Sequence, residues 1–318
     1  MQLKQQKGIA LITILVMVAL ATIIAATIAK RQNYTNESTG FLKRQSQALF
    51  YAKSAEAFYS EILVQDSENS KEADYLQETW AKPMPAFPVE DGYVTGVLED
   101  ESGKFNLNSL LTNEGKPNDA AQKYFSKLLV RVGLPADAVQ AVIDWQDPDN
   151  ETIGSYGAET SYYQGLPKPY LAANRKFSSV EELKQVRGFE EKKYDLIAPY
   201  ISALPDIATK INVNTAPAMV LAAMDEKLDV NSIQTALKAR QEKLEYFANV
   251  GELMKVAPFD SLDAASKTEA DKIFGVTSNY FKAKIEVSLS NRKRQFTTRF
   301  MRNDKSQVYV YSRSLAPF

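Results

Sequence analysis

The residues best suited to chemistry in this chain are five acids in one short stretch. In DWQDPDNETIGSYGAETSYY, Asp144, Asp147, Asp149 and Glu151 fall within eight residues, and Glu159 follows. Pro148, Gly154, Gly157 and Gly165 interrupt any regular helix or strand, so the acids project from a turning backbone. Carboxylates this close repel one another unless something neutralises them. Oxygen ligands, about six to eight of them at roughly 2.3–2.6 Å, are what Ca2+ takes, and such a loop supplies them. The spacing Asp147-x-Asp149-x-Glu151 begins like an EF-hand, but Thr152 stands sixth, where that loop needs Gly, and Ala158 stands twelfth. The loop is therefore not an EF-hand. Two other readings stay open. One is a solvated acidic turn. The other is a carboxylate pair acting as general acid and base, as in glycoside hydrolysis. Catalytic pairs need rigid supporting elements, so acids crowded into one flexible loop favour a cation over catalysis.

Composition narrows the chemistry further. The 318 residues contain no His and no Cys. Without His there is no Ser-His-Asp or Cys-His nucleophile system and no His-based zinc site. Without Cys there is no disulfide, thiolate metal site or thiol redox chemistry. Hard cations held by oxygen remain. The net charge of −1 gives no bulk attraction to nucleic acid or to an anionic surface.

These acids must be positioned by the rest of the chain, which begins MQLKQQKGIALITILVMVALATIIAATIAKRQ. The run from Ile9 to Ala29 carries no charge and is long enough to cross a bilayer as a helix. Lys4 and Lys7 precede it and Lys30-Arg31 follow it, so the positive-inside rule orients it weakly. A cleaved secretory signal and a plain membrane anchor are the ordinary readings. The run is long for a signal h-region, although Ala25–Ala29 would offer a cleavage site. Beyond it, KRQNYTNESTGFLKRQSQALFYAKSAEAFYSEIL contains no Pro. Phe41, Leu42, Ala48, Leu49, Ala52, Ala55 and Phe58 recur at helical steps, predicting an amphipathic continuation with one sticky stripe, loosened locally at Ser38-Thr39-Gly40.

The middle of the chain contains a weak internal repeat. Phe105-Asn106-Leu107-Asn108-Ser109 echoes Ile211-Asn212-Val213-Asn214-Thr215, LPADAVQAVIDW echoes LDVNSIQTALKA, and FSSVEELKQV echoes FANVGELMKV. Each unit reads as capped helices, and the first is longer because it holds the acidic loop. Such units resemble helix-hairpin-helix modules, which grip DNA backbone. The glycine-centred hairpin is missing, however, apart from a lone Arg187-Gly188-Phe189, and so is a basic face. Outside these units, Gly92–Glu99, Ala283–Leu289, Gln295–Arg302 and Gln307–Ser314 alternate apolar and polar residues as half-buried antiparallel strands do. Asn291 and Asn303-Asp304 mark turns, with Arg292, Lys293 and Arg294 as a basic turn cluster.

Two parts of the sequence resemble a known family. A short basic leader ending in Gly8, an apolar helix opening Ile9-Ala-Leu-Ile, and an amphipathic extension resemble the type IV pilin-like superfamily. Within it, DWQDPDNE, GAETSYY, FSSVEEL and INVNTAPAMVL resemble the minor pseudopilin K family of the type II secretion system. The resemblance implies an α+β, pilin-like fold: a long N-terminal transmembrane and amphipathic helix packed on a small antiparallel sheet, with a large inserted all-α domain of two similar helical units. It implies a prepilin leader over residues 1–8, a transmembrane segment over 9–29, a helix extension and first strand over 30–104, the inserted domain over 105–275 with the acidic loop at 144–175, and closing strands over 276–318.

The resemblance further implies cleavage by a prepilin peptidase between Gly8 and Ile9, with methylation of the new amino terminus. It implies calcium held by Asp144, Asp147, Asp149, Glu151, Glu159 and Asn174. Tyr162, Tyr163 and Tyr170 are expected to pack around that loop. The implied location is the bacterial inner membrane, single-pass, with the bulk in the periplasm. The implied role is non-enzymatic: capping the tip of the pseudopilus with minor pseudopilins I and J, with minor pseudopilin H and the major pseudopilin as further partners, and no nucleic acid. Relatives carry Glu as the fifth mature residue, where this chain has Thr13. In such filaments that Glu is thought to pair with a neighbour's amino terminus. A tip subunit has no such neighbour above it, and a Thr hydroxyl can bond its own helix backbone. The rival readings are a membrane-anchored periplasmic hydrolase using the acidic loop, and a pilus-associated DNA-uptake protein.

Overall fold

The computed structural model describes residues 7–69 and 72–315. Leader residues 1–6 lie outside the described residues, while Lys7 and Gly8 open helix α1 (Lys7–Asn69). The helix has 63 residues, about 95 Å at the α-helical rise. It runs unbroken through Gly40, where the sequence suggested loosening. A single helical Gly costs only about 1 kcal/mol against Ala, and the turns that follow, FLKRQSQAL, are rich in good helix formers. The apolar start of α1 is fully exposed, and among the described residues only this helix is long and apolar enough to cross a membrane.

The remaining helices are α2 (Asp119–Arg131), α3 (Ala138–Asp144), α4 (Thr160–Gln164), α5 (Lys192–Ile197), α6 (Ala218–Ala222), α7 (Val230–Glu242), α8 (Val250–Leu253) and α9 (Ala264–Ile273). The strands are β1 (Met84–Val89), β2 (Gly92–Asp100), β3 (Phe105–Asn106), β4 (Ile201–Ser202), β5 (Ile211–Asn212), β6 (Phe274–Gly275), β7 (Tyr280–Leu289), β8 (Arg292–Arg302) and β9 (Val308–Ser314). The main sheet is antiparallel in the order β1-β2-β7-β8-β9.

Two strands precede the helical units, not the expected one. Strand β1 hides in MPAFPV because Pro85 and Pro88 argue against a strand. Proline is nevertheless tolerated at a sheet edge, and β1 is an edge strand with a register shift between Met84 and Phe87. The β7–β8 hairpin turns on Ser290 (φ 48°) and Asn291 (φ 64°), both left-handed, as a two-residue type I′ turn requires. Arg292, Lys293 and Arg294 therefore open β8 and do not form the turn itself. Lys293 pairs with Glu286 at 2.9 Å and Arg294 lies over the Phe41 ring.

One face of the sheet, including Val94, Leu98, Ala283, Ile285, Val287 and Phe300, packs on α1. The helix meets it with Ala48, Ala52, Ala55, Tyr59 and Leu63, while Phe41, Leu42, Leu49 and Phe58 stay exposed. The contact stripe is thus narrower than the sequence suggested. Alanine lets the helix axis approach the sheet, and Phe41, Leu42, Leu49 and Phe58 are left off that contact.

A second hydrophobic cluster spans Phe105 to Phe274, and its internal repeat is physical. Each unit is closed by a short parallel pair: β3 with β4 (Phe105 opposite Ile201) and β5 with β6 (Ile211 opposite Phe274). Inside the first, Asn108 Nδ2 donates to the Phe177 carbonyl (2.9 Å) and the Leu204 carbonyl (2.8 Å), while its Oδ1 accepts the Phe177 amide (2.7 Å). Inside the second, Asn214 clasps Phe247 in the same reciprocal way, at 3.0 and 2.8 Å. The following short helices are capped alike. Ser179 forms a capping box with Glu182, and the Asn249 side chain accepts the Glu252 amide.

These clasps set an order of stabilities. Asn108→Ala strips three hydrogen bonds from buried backbone, with an expected loss of about 3 kcal/mol, and the half-buried Asn214→Ala about 2 kcal/mol. Urea unfolding of both variants checks that order.

Candidate metal centre

Helix α3 places the first carboxylate. Asp144 is its last residue, and the amides of Gln146 (2.9 Å) and Asp147 (3.0 Å) both bond back to the Ile143 carbonyl. That tight turn folds Asp147 back beside Asp144, and Pro148 follows. The loop then returns. The Ile153 amide donates to Asp144 Oδ1 at 3.2 Å, and a Cβ at Gly157 would lie 2.3 Å from Asp144 Oδ2. Only glycine permits that approach. Glu159 sits at the N-cap of α4, yet its side chain makes no capping bond.

One oxygen from each of Asp144, Asp147 and Glu159 lies within 4.8 Å of the others, and none of the three residues is more than 3% exposed. Asp147 Oδ1, both Glu159 oxygens and Asn174 Oδ1 are buried with no hydrogen-bond partner among the described residues. Asn174 is tied to the loop by its amide on the Trp145 carbonyl (2.9 Å) and by Nδ2 on the Asp149 carbonyl (3.4 Å). Burial pushes the Asp144 carboxyl up to about 6, against the amides of Ile153 and Ala158. Asp147 is pushed up to about 7 by burial and then by the charges of Asp149, Glu159 and Asp144. Glu159 reaches about 7 by burial and then by Asp144 and Asp149. The C-terminal end of α3 adds negative potential.

Buried carboxylate oxygens without donors are costly, and a cation is the group that relieves them together. Their all-oxygen chemistry fits a hard divalent ion such as calcium. Asp144, Asp147, Glu159 and Asn174 would hold it. The ion would supply charge neutralisation and bind the end of α3 to the start of α4. Asp149 and Glu151 are exposed and lie outside the three-carboxylate group. Asp149 Oδ1 accepts the Glu151 amide at 2.8 Å, so these two shape the loop, and Asp149 adds its field.

A hydrolytic pair does not fit this geometry. Such carboxylates flank a substrate held in an open cleft, whereas none of these three residues is more than 3% exposed. The DNA reading also loses its one hairpin. The Gly188 amide donates to Glu190 Oε1 at 2.9 Å, and the Arg187 guanidinium bonds the Tyr156 and Gly157 carbonyls at 3.3 and 3.0 Å.

Sequence reasoning missed Gly157 and Arg187 as supports of the loop. The neighbouring tyrosines were their signal, because Arg187 lies over Tyr156 and Tyr162. Tyr163 and Tyr170 stack at 5.2 Å, and Trp145 meets Tyr163 edge-on, the packing role expected of these tyrosines. At the other end of the molecule, the Thr13 hydroxyl donates to the Ala10 carbonyl at 2.9 Å, satisfied on its own helix.

Comparison with known proteins follows the same layout. Family models for type II secretion system protein K match residues 103–206 and 211–276, the spans closed by β3–β4 and β5–β6. The chain is similar to type II secretion system protein K of Aeromonas hydrophila, 33% identical across 98% of this chain and 97% of that protein. It is 34% identical to that of Pseudomonas aeruginosa, across 98% and 93%. It also resembles a chain in the crystal structure of the GspK-GspI-GspJ complex from enterotoxigenic Escherichia coli. That match has a TM-score of 0.77 at 23% identity, over 88% of this chain and 99% of the other. The shared fold is pilin-like, with an inserted helical domain.

The raised carboxyls set a pH dependence. In the metal-free fold these three carboxyls hold protons more tightly than in the unfolded chain, so the stability they contribute is fullest below about pH 4 and is lost as pH rises towards about 7. Calcium needs the deprotonated form, so its stabilisation grows over the same range. At neutral pH, calcium at about 100 times Kd should add about 2.7 kcal/mol and raise Tm by roughly 5 °C. Asp147→Ala combined with Asp149→Ala should abolish the rise in a chelator-controlled melt. An equal rise in that double variant would contradict the site.

Proposed function

The chain belongs to the type II secretion system protein K family, a family of minor pseudopilins, and we propose that it caps the tip of the periplasmic pseudopilus and supports export of folded proteins across the outer membrane. The observation that carries this reading is the division of labour along α1. Its apolar start is wholly exposed, while its last turns are buried against its own sheet. A helix built this way anchors in a bilayer and then exchanges lipid for the matching helices of neighbouring protomers, without passing its apolar surface through water. The protein sits in the inner membrane by this helix, with the sheet and helical head in the periplasm, and a prepilin peptidase cuts between Gly8 and Ile9 before methylation.

The proposed partners are minor pseudopilins I and J. The similar solved chain is part of a GspK-GspI-GspJ complex, which supports this choice. Minor pseudopilin H and the major pseudopilin are further neighbours. Thr13 supports the tip position. A carboxylate in the apolar filament core costs several kcal/mol, on the order of a buried charge, unless an amine neutralises it. A protomer with nothing above it lacks that amine, and the Thr13 hydroxyl needs none because the Ala10 carbonyl accepts its hydrogen bond. Calcium stiffens the head through the Asp144, Asp147 and Glu159 cluster.

Two measurements test this reading. Intact mass of the membrane-extracted protein should show loss of residues 1–8 and one added methyl group, and cleavage near Ala29 would contradict it. Thr13→Glu should lower secretion and tip assembly while the protein still inserts and is processed. Unchanged secretion in that variant would count against the tip position.

A further inference from the structure

The sheet lies along α1, so its two ends stand at different heights above the apolar start of that helix. Arg302, at the end of β8, bonds Asp66 near the end of α1. Arg294, at the start of β8, lies over the ring of Phe41. The β7–β8 hairpin therefore points back towards the apolar run. Its turn lies beside the β1–β2 turn, where the Ser290 amide donates to the Asp91 carbonyl at 2.9 Å. About 18 Å of helix separates Phe41 from Ala29, the end of that run.

This end of the helix and sheet is basic. On α1, Lys30, Arg31, Lys43 and Arg44 stand against Glu37. On the two turns and the strands beside them, Arg292, Lys293 and Arg294 stand against Glu90, Asp91 and Glu286. Seven cations against four acids leave three positive charges in excess, in a chain whose net charge is −1.

Three of these cations converge. Arg44, Arg292 and Arg294 line one small recess together with Phe41 and Leu289. Lys293 is held by Glu286, but none of the ion pairs among the described residues includes Arg44, Arg292 or Arg294. Gly40 gives Arg44 its room. A Cβ there would lie 3.4 Å from Arg44 Nη1, so the guanidinium reaches down α1 towards the apolar run, the direction in which helix side chains lean. Beside it Phe41 and Leu42 are 44% and 58% exposed.

Guanidinium groups fork around phosphate oxygens. Basic side chains next to exposed Phe and Leu make a surface that settles at the boundary between headgroups and acyl chains. We propose that this end of the molecule docks on anionic phospholipid headgroups of the membrane that α1 spans, with Arg44, Arg292 and Arg294 on the lipid phosphates. The proposal rests on α1 being the membrane anchor. Its place above that anchor is what selects lipid over a free anion. With α1 upright, the recess stands above a headgroup layer only about 5–7 Å deep. Transmembrane helices tilt by up to about 40°, and a tilt towards the sheet side brings the recess down to the headgroups. Docking thus holds the unassembled protomer tilted, with its sheet side down.

Energy transfer to the lipid surface tests the docking. The chain has no Cys, so Phe87→Cys, at an exposed position on β1, carries a single donor dye. The full chain is placed in nanodiscs of phosphatidylcholine, or of an equal mixture of phosphatidylcholine and phosphatidylglycerol, each with the same trace of acceptor-labelled headgroups. The dye should lie roughly 5–10 Å closer to the headgroups in the mixture, the difference between an upright and a tilted helix. Salt at about 1 M, where the Debye length is about 3 Å, should return it to its phosphatidylcholine position. Arg44→Gln combined with Arg292→Gln and Arg294→Gln should make the two lipids indistinguishable. Equal transfer in the two lipids overturns the docking, and so does a shift that survives salt or the triple variant. Failure of the chain to enter the discs would overturn the anchor as well.

Discussion

Mutual repulsion among three buried carboxylates is the constraint around which the first helical unit is organised. Asp144, Asp147 and Glu159 come within 4.8 Å of one another, at the negative end of α3. Among the described residues, Asp147 Oδ1 and both oxygens of Glu159 have no hydrogen-bond partner. The surrounding residues make this crowding inescapable. Gly157 lets the loop reach Asp144, Arg187 fixes the loop carbonyls, and Trp145, Tyr163 and Tyr170 wall the site with apolar surface. A cation bound there would turn this frustrated arrangement into a cross-link. The second unit has the same Asn clasp without such a loop, so the acidic loop is an addition to a repeated scaffold.

The same logic of shared burial operates at the base of the head. The helical units do not simply hang from the sheet on two peptide linkers. Asp74, Asp100, Asn212, Ser278 and Arg302 bond across the boundary, so polar groups from both sides hold the head to the sheet.

Legibility in the sequence follows the range of the interactions. The apolar start of α1 and the alternating strands β2, β7, β8 and β9 are readable because their signals are local periodicities. Strand β1 is not, because Pro85 and Pro88 suppress the pattern and only its edge position makes them tolerable. The periodicity of α1 implies too wide a stripe, since sequence alone cannot show that alanines, and not Leu42, Leu49 and Phe58, meet the sheet. In the acidic loop, residue type and crowding point to the stretch that holds the buried carboxylate group. The division between buried Asp144, Asp147 and Glu159 and exposed Asp149 and Glu151 depends on turn geometry, which spacing does not encode. The junction cluster is invisible in the sequence because Asp66 and Arg302 are 236 positions apart.

The central claim is that the buried carboxylates of the first helical unit exist to hold a cation. Equilibrium dialysis of the full-length, detergent-solubilised protein against radioactive calcium tests it most directly, with wild type beside Glu159→Gln at neutral pH. The account predicts saturable calcium binding by the wild-type chain and a loss of affinity of at least about tenfold in the variant, which removes a charge from the donor set. Absence of saturable binding, or equal binding by the two proteins, would contradict it.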